Sequence, residues 1–243
     1  MKIGVLGGSG NVGRLVVKQL LSYDDDTVHQ VKLFNRRILN DDEILVKDSR
    51  LQQYLVDMTS VETFYSDCID LLTEVEVIVS MMGIGSGKGS AELFRKVEVE
   101  LPVAFAHAAK AAGATRAVLL TAIGANINSN SSWLVGGVAE GKFFYFKGLV
   151  EQKFIDTAFA EGVTVCRPAG LLGTGHTPKW LDRILPKIDW LAPARFRSMH
   201  IHRLADAMAR TVVNPKIQNT DGATILEGHA LLDLLQGERW ESD

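Results

Sequence analysis

The sequence predicts a doubly wound α/β fold built on a parallel sheet. Three observations carry this: strand-length apolar runs recur along the chain, helix-length amphipathic stretches separate most of them, and a glycine cluster sits directly after the first run. Parallel neighbours need crossover connections, the crossovers are right-handed, and helices must then cover both faces of the sheet. The 243 residues are 47% hydrophobic and 23% charged, which excludes disorder and collagen-like repeats. A chain of this length buries about 70 to 75% of its extended surface as a single domain, without needing disulfides or a structural metal.

The apolar runs are Ile3 to Leu6, Val31 to Phe34, Tyr54 to Val56, Val75 to Val79, Ala117 to Leu120 and Val163 to Val165. Between them, Val12 to Leu21, Val61 to Leu72, Ala91 to Ala112 and Lys142 to Ala160 have helical length and periodicity. Pro102 falls inside the third of these and either kinks the helix or marks its start. After Val165 the text turns to Arg167-Pro168-Ala169-Gly170-Leu171-Leu172-Gly173-Thr174-Gly175. The sequence therefore predicts one domain, with a core over 1–169 and a small C-terminal lobe over 170–243. That lobe closes with a strand at Ala223 to Leu226 and a short helix at Leu231 to Leu235.

The first run leads into Gly7-Gly8-Ser9-Gly10-Asn11-Val12-Gly13-Arg14, a Gly-x-x-Gly-x-x-Gly pattern at a strand-to-helix junction. Gly7 permits the tight turn, Gly10 lets the backbone approach a pyrophosphate, and Gly13 lets the helix pack closely on the sheet. Free amides at the helix start face the anion. The chemistry predicted is dinucleotide binding, with Gly7, Ser9, Gly10, Asn11, Val12, Gly13 and Arg14 around the phosphates. After the second run stands Asn35-Arg36-Arg37, with no acid to accept bonds from a ribose 2′-hydroxyl. Two guanidiniums there, with Arg14 as a third cation, favour the 2′-phosphate of NADP(H) over NAD(H). The alternative is that Arg36 and Arg37 form a solvated loop. Asp57, after the third run, either accepts from adenine or simply forms a turn.

With that loop, Asp57-Met58, Lys147 on a helix and Arg167-Pro168-Ala169-Gly170 after the sixth run, the chain resembles the atypical short-chain dehydrogenase/reductase superfamily over nearly its whole length. The fold implied is Rossmann-like. The stretch Phe143-x-x-x-Lys147-Gly148-x-Val150-Glu151, the Arg167-Pro168 turn and Ile225-Leu226-Glu227 to Leu231 look most like the Tat-interactive-protein-like oxidoreductases. The resemblance adds Asp57, Met82, Gly83, Thr121, Lys147 and Pro168 to the cofactor contacts.

The superfamily's chemistry uses Tyr-x-x-x-Lys on one helix face, where the ammonium lowers the phenol's pKa for proton transfer. Four residues before Lys147 stands Phe143, and the usual second serine after the fifth run is Ala122, in Thr121-Ala122-Ile123-Gly124-Ala125. The catalytic pair is therefore expected to be missing. Thr121 and Tyr145 are the weak substitutes, and Ser129, Ser131 and Ser132 lie in the next loop. Lys147 retains a role without proton transfer, since its ammonium can hold the nicotinamide ribose hydroxyls.

Gly83-Ile84-Gly85-Ser86-Gly87-Lys88-Gly89-Ser90 lacks P-loop spacing and reads as a lid beside the cofactor. His200 and His202 alternate about Ile201 as if on one strand face, and no metal-ligand spacing accompanies them. From Lys179 to Arg203 six bases (Lys179, Arg183, Lys187, Arg195, Arg197, Arg203) face two acids (Asp182, Asp189), with Trp180, Trp190 and Phe196 interleaved. That segment is either a substrate lobe with a basic rim or a partner-binding face.

Lys plus Arg total 26 against 29 acids, a net charge of -3, so no global field recruits nucleic acid. Cys68 and Cys166 match no disulfide framework, no targeting segment precedes the first strand, and no apolar run reaches membrane-spanning length. The compartment expected is cytoplasm or an organelle matrix. Two functions follow from these residues. One is an NADP(H)-binding accessory, structural or redox-sensing protein that meets a partner through 179–203. The other is an NADPH-dependent reductase of a small carbonyl or alkene that uses Thr121, Tyr145 or water as proton donor.

Overall fold

A computed structural model describes residues 1–84, 90–129, 143–174, 193–214 and 222–235. The strands are β1 (Lys2–Leu6), β2 (Gln30–Asn35), β3 (Leu51–Leu55), β4 (Val77–Ser80), β5 (Arg116–Leu120), β6 (Val163–Arg167), β7 (Leu171–Leu172), β8 (Met199–His200) and β9 (Ala223–Glu227). Seven of them form one parallel sheet in the order β3-β2-β1-β4-β5-β6-β9, and β7 pairs with β8 apart from it. The chain begins in the middle of the sheet, runs to one edge, returns, and fills the other half. This is the predicted doubly wound sheet.

Successive strand side chains point to opposite faces, and each face carries its own core. Ile3, Val5, Val31, Leu33, Val77 and Val79 pack on one side against α1 (Asn11–Leu20) and α7 (Ile201–Val213). Leu6, Phe34, Ile78, Leu119, Val163 and Val165 pack on the other, under α3 (Val61–Leu71), α5 (Leu101–Ala111) and α6 (Phe143–Asp156). A charged residue interrupts the second face: Lys32 is buried in β2, and its ammonium donates to the carbonyls of Leu71 (2.9 Å) and Thr73 (3.0 Å). Those carbonyls close α3, where a cation complements the helix dipole, while burial pushes the lysine pKa down. Cys68 and Cys166 are buried free thiols whose pKa burial raises to about 12, so neither is a nucleophile at neutral pH.

The expected single helix over 91–112 is three segments. After α2 (Asp41–Ile44) and α3, α4 (Ala91–Arg95) passes through a π-helical turn at Lys96–Glu100 into α5. The Leu101 amide bonds back five residues to the Lys96 carbonyl. Pro102 explains the widening: it has no N–H to give the carbonyl of residue 98, and its ring would strike that carbonyl in a regular α-turn. Of the two expected outcomes the second holds: Pro102 lies in the first turn of α5 and marks that segment's start, within a helical run that continues through the π-turn.

The C-terminal region differs most from expectation. Residues 201–213 are a helix, with His200 as its N-cap and His202 in its first turn, so the two histidines do not share a strand face. Their rings nevertheless stack, with centroids 5.2 Å apart. Helix α7 covers the sheet beside α1, and Leu204, Met208 and Val212 enter the first core. β9 extends the sheet and α8 (His229–Asp233) closes the described chain, as the apolar runs predicted. Residues 201–213 and 223–227 therefore belong to the main sheet and its cover. Most of the basic aromatic stretch, including Lys179, Trp180, Arg183, Lys187 and Trp190, lies outside the described residues.

Candidate functional site

Strand order reverses between β1 and β4, and the carboxyl ends of these strands open a crevice, the position where such sheets bind ligands. Gly7 ends β1 with φ +85°, and a Cβ there would lie 2.6 Å from the backbone of Met81 and Met82. Only glycine lets β1 turn this close to the segment after β4. A Cβ on Gly13 would lie 2.2 Å from the Gly7 carbonyl oxygen, so α1 is drawn onto its own entry loop. A Cβ on Gly10 would meet only that carbonyl, at 3.4 Å, and otherwise project into the crevice. No side chain caps α1 and no acid sits in its first turn. The orphan amides and positive dipole end face the crevice, and an anion fits there.

Three adjoining cavities run along this edge. The first, of about 190 Å³, holds Gly7, Ser9, Gly10, Arg36, Met82 and Gly83. From it a second, of about 650 Å³, extends past Arg36, Asp57, Met58 and Lys96. A third, of about 890 Å³, extends the other way past Glu98, Thr121, Phe143, Lys147 and Pro168. Met82 lines all three. Together they form a long cleft with the anion cradle at its centre, the shape a dinucleotide requires.

The predicted residues distribute unevenly along this cleft. Arg36 is exposed and lines both cavities at the β2 end. Arg37 does not: Glu43 holds its guanidinium through both carboxylate oxygens, one of them 2.8 Å from Nη1, and Glu43 also closes a capping box with Asn40. The sequence placed no acid beside these arginines, but α2 brings one back, six residues on. Arg37 drives the Glu43 pKa from 4.5 down to about 2. Because the folded value is depressed, the clip is complete above about pH 4.5 and is lost as pH falls through about 2. An NMR titration of the Glu43 carboxyl is expected to give a midpoint near 2, moving back toward 4.5 in Arg37→Ala.

Asp57 lines the second cavity and also forms the turn, accepting from the Thr59 amide at 2.8 Å, and the Thr59 side chain and amide together lower its pKa. Asn11 turns its side-chain amide to the Thr174 carbonyl and receives Arg14 Nη2 at 3.4 Å. Their side chains thus tie α1 to the segment after β7. Val12 is packed in the first core and can offer a ligand only its amide.

At the β5–β6 end, Phe143 stands where the phenol was expected, with the Lys147 ammonium 5.7 Å from its ring centroid. The i,i+4 relation on α6 is therefore kept, without a hydroxyl. Lys147 is buried and donates to Glu98 at 2.6 Å, while the other Glu98 oxygen accepts from the Ile84 amide at 2.9 Å. Glu98 is 2% exposed and comes from the π-helical turn. Thr121 lines the cavity, but its hydroxyl donates to Glu151, which also receives Arg167 through both oxygens. Arg167 reaches on to Glu227 at 2.7 Å and so joins α6, β6 and β9. Tyr145 lines none of the three cavities, and its ring packs on Phe146. Neither substitute hydroxyl is therefore free to serve the cleft. Ser129 lines the third cavity; Ser131, Ser132 and 85–89 of the expected lid lie outside the described residues.

Sequence reasoning missed Glu98 and Glu151. Glu98 lies between valines at a spacing that matches no motif, while Glu151 entered only as part of the stretch that carries the family resemblance, and burial is what singles out both. Among the described residues, no helix is long and apolar enough to cross a membrane.

Residues 7–151, more than half of the chain, match the family described as NAD(P)H-binding. Among solved structures, a UDP-glucuronic acid 4-epimerase from Bacillus cereus in complex with NAD superposes with a TM-score of 0.65 at 14% identity, covering 96% of this chain and 80% of the other. A dTDP-glucose 4,6-dehydratase, DesIV, from Streptomyces venezuelae with NAD and TYD bound gives 0.63 at 18% identity, covering 98% and 82%. MoeE5 in complex with UDP-glucuronic acid and NAD gives 0.65 at 14%, covering 96% and 80%. These likenesses establish a shared Rossmann-type fold.

Proposed function

The chain belongs to the NAD(P)H-binding family, and from that membership we propose that it holds NADP(H) in a site closed to phenol-type proton transfer, acting as an accessory or redox-sensing protein. One observation carries this reading: the proton-bearing side chains expected at the nicotinamide end are engaged, Lys147 with Glu98 and Thr121 with Glu151, and Phe143 has no proton to give. When bound, the dinucleotide supplies a hydride donor or acceptor at its nicotinamide. Amides of the Gly7–Gly13 turn hold the pyrophosphate, Arg36 meets the 2′-phosphate, Asp57 and Met58 flank the adenine, and Lys147 directs one of its two remaining N–H donors to the ribose hydroxyls. Partner contact falls to the exposed Arg195, Phe196 and Arg197, where the Arg195 guanidinium stacks 4.5 Å from the Phe196 ring centroid.

Titration with NADPH and NADH, followed by nicotinamide fluorescence and melting temperature, tests this. NADPH is expected to bind more tightly and to raise the melting temperature, with no oxidation over a panel of carbonyl and enone substrates. Turnover near 1 s⁻¹ or faster, inside the ordinary enzyme range, defeats the accessory reading. Arg36→Ala is expected to weaken NADPH about 10- to 100-fold, the loss of one charge-assisted contact, and to leave NADH nearly unchanged. Arg37→Ala, already neutralised by Glu43, is expected to change either affinity less than threefold or so. Equal losses in both variants would assign the 2′-phosphate differently.

One observation favours a second reading, the NADPH-dependent reductase. The third cavity continues beyond Lys147 toward Phe196, and its size lies within the about 300–1,000 Å³ of pockets that hold small molecules. In that case Lys147 is the only described cationic donor facing the cavity.

A further inference from the structure

The third cavity has an unusual division of labour between its walls and its polar groups. The rings of Phe143 and Phe144 meet edge to face, with centroids 5.3 Å apart, and Leu120, Ile123 and Phe196 continue the apolar lining. Among the described residues the polar lining groups are Glu98, Thr121, Ser129 and Lys147. Both Glu98 oxygens are already bonded, to Ile84 and Lys147, and the Thr121 proton goes to Glu151. Lys147 has three N–H donors and gives one to Glu98, so it alone keeps charged donor capacity at the cavity wall.

We infer that this cavity binds a neutral, flat aromatic carbonyl compound, its rings against Phe143 and Phe144 and its carbonyl oxygen accepting from Lys147. The inference rests on the reading of the adjoining cleft as a dinucleotide site, since it takes the space beyond the nicotinamide as the ligand's. The ligand is aromatic because flat rings gain from stacked or edge contacts with phenylalanines beyond simple area burial. An acceptor oxygen is required because an ammonium only donates. Neutrality follows from Glu98: the Lys147–Glu98 pair carries no net charge, so a carboxylate or phosphate brought to Lys147 would also meet the Glu98 anion. A sugar fits poorly, because each hydroxyl buried against these rings without a partner loses its water for nothing. This ligand class differs from the nucleotide sugars named for the structural neighbours.

The test uses the full chain and three probes, 2-acetylnaphthalene, 2-ethylnaphthalene and UDP-glucose, titrated calorimetrically with and without NADP⁺. NADPH binding is measured separately by fluorescence. The ketone is expected to bind about tenfold or more tightly than the hydrocarbon, the gain from one charge-assisted hydrogen bond, and that gain is expected to vanish in Lys147→Met. Because Lys147→Met leaves Glu98 unpaired and can cost folding, Ile123→Trp provides a second arm. It narrows the cavity at a wall residue outside the ion pair and is expected to weaken ketone binding by about tenfold or more, a larger loss than any change in NADPH affinity. Equal binding of ketone and hydrocarbon, tighter binding of UDP-glucose, or ketone binding unaffected by Ile123→Trp overturns the inference, whatever NADPH does. Failure of NADPH alone to bind overturns the dinucleotide reading, and the ketone titration without NADP⁺ still decides the cavity.

Discussion

Gly7→Ala is expected to abolish dinucleotide binding and to lower stability by at least about 2 kcal/mol, a fall in melting temperature of about 4 to 8 °C. Two costs combine. The residue holds φ +85°, a left-handed conformation that penalises any side chain, and its Cβ would lie 2.6 Å from the Met81 and Met82 backbone. Backbone cannot rotate away as a side chain can, so β1 and the segment after β4 must separate. That separation moves the Gly10 cradle relative to Met82 and Gly83, which face it across the first cavity. Gly113→Ala is the control: its φ is +102° but nothing lies within 4 Å of the added methyl, so it isolates the backbone term of about 1–2 kcal/mol. Thermal melts and NADPH fluorescence on both variants check the argument. Equal destabilisation, with binding retained in Gly7→Ala, would remove the close approach as the explanation of the glycine.

Glu98→Ala is expected to cost about 3–5 kcal/mol, the penalty for leaving a buried charge unpaired. Glu98 and Lys147 side chains are 2% and 10% exposed, so water replaces the lost carboxylate only in part. The Ile84 amide loses its acceptor as well. The same pair replaced on both sides, Glu98→Leu with Lys147→Met, is expected to recover most of the stability, because an apolar pair removes the desolvation cost. NADPH affinity is not expected to recover, because the donors assigned to the ribose are gone. Denaturant melts read the first effect and fluorescence titration the second. A double variant as unstable as Glu98→Ala would show that the π-helical turn, rather than the ion pair, needs the glutamate.

Much of this architecture was legible before any coordinates. The inner strands are short and buried on both sides, so they appear as apolar runs. The glycine loop is a local device whose meaning depends only on its place after the first strand. Helix α7 was missed: Leu204, Met208 and Val212 recur at four-residue intervals on its buried face, but the His200-Ile201-His202 alternation suggested a strand. Local period and local alternation compete over three residues, and only the longer window separates them.

The site divides differently. Gly7, Gly10, Gly13, Arg36 and Phe143 could be identified from sequence because each acts through its own backbone, its own charge or a fixed spacing to a neighbour on one helix. Arg37, Thr121 and Tyr145 could not be judged that way, since what engages each comes from its packing or from a partner: Glu43, six residues on; Glu151, thirty residues on; and the packed face of α6. Glu98 meets Lys147 across 49 residues of chain. The sequence by itself determined the sheet, most of the helical stretches between its strands, the glycine turn after β1 and the absence of a phenol before Lys147, because periodicity and turn chemistry act over a few residues. Only the tertiary structure decided which polar groups face the cleft unpaired, because the pairing of buried charges depends on distances between elements that the chain brings together last.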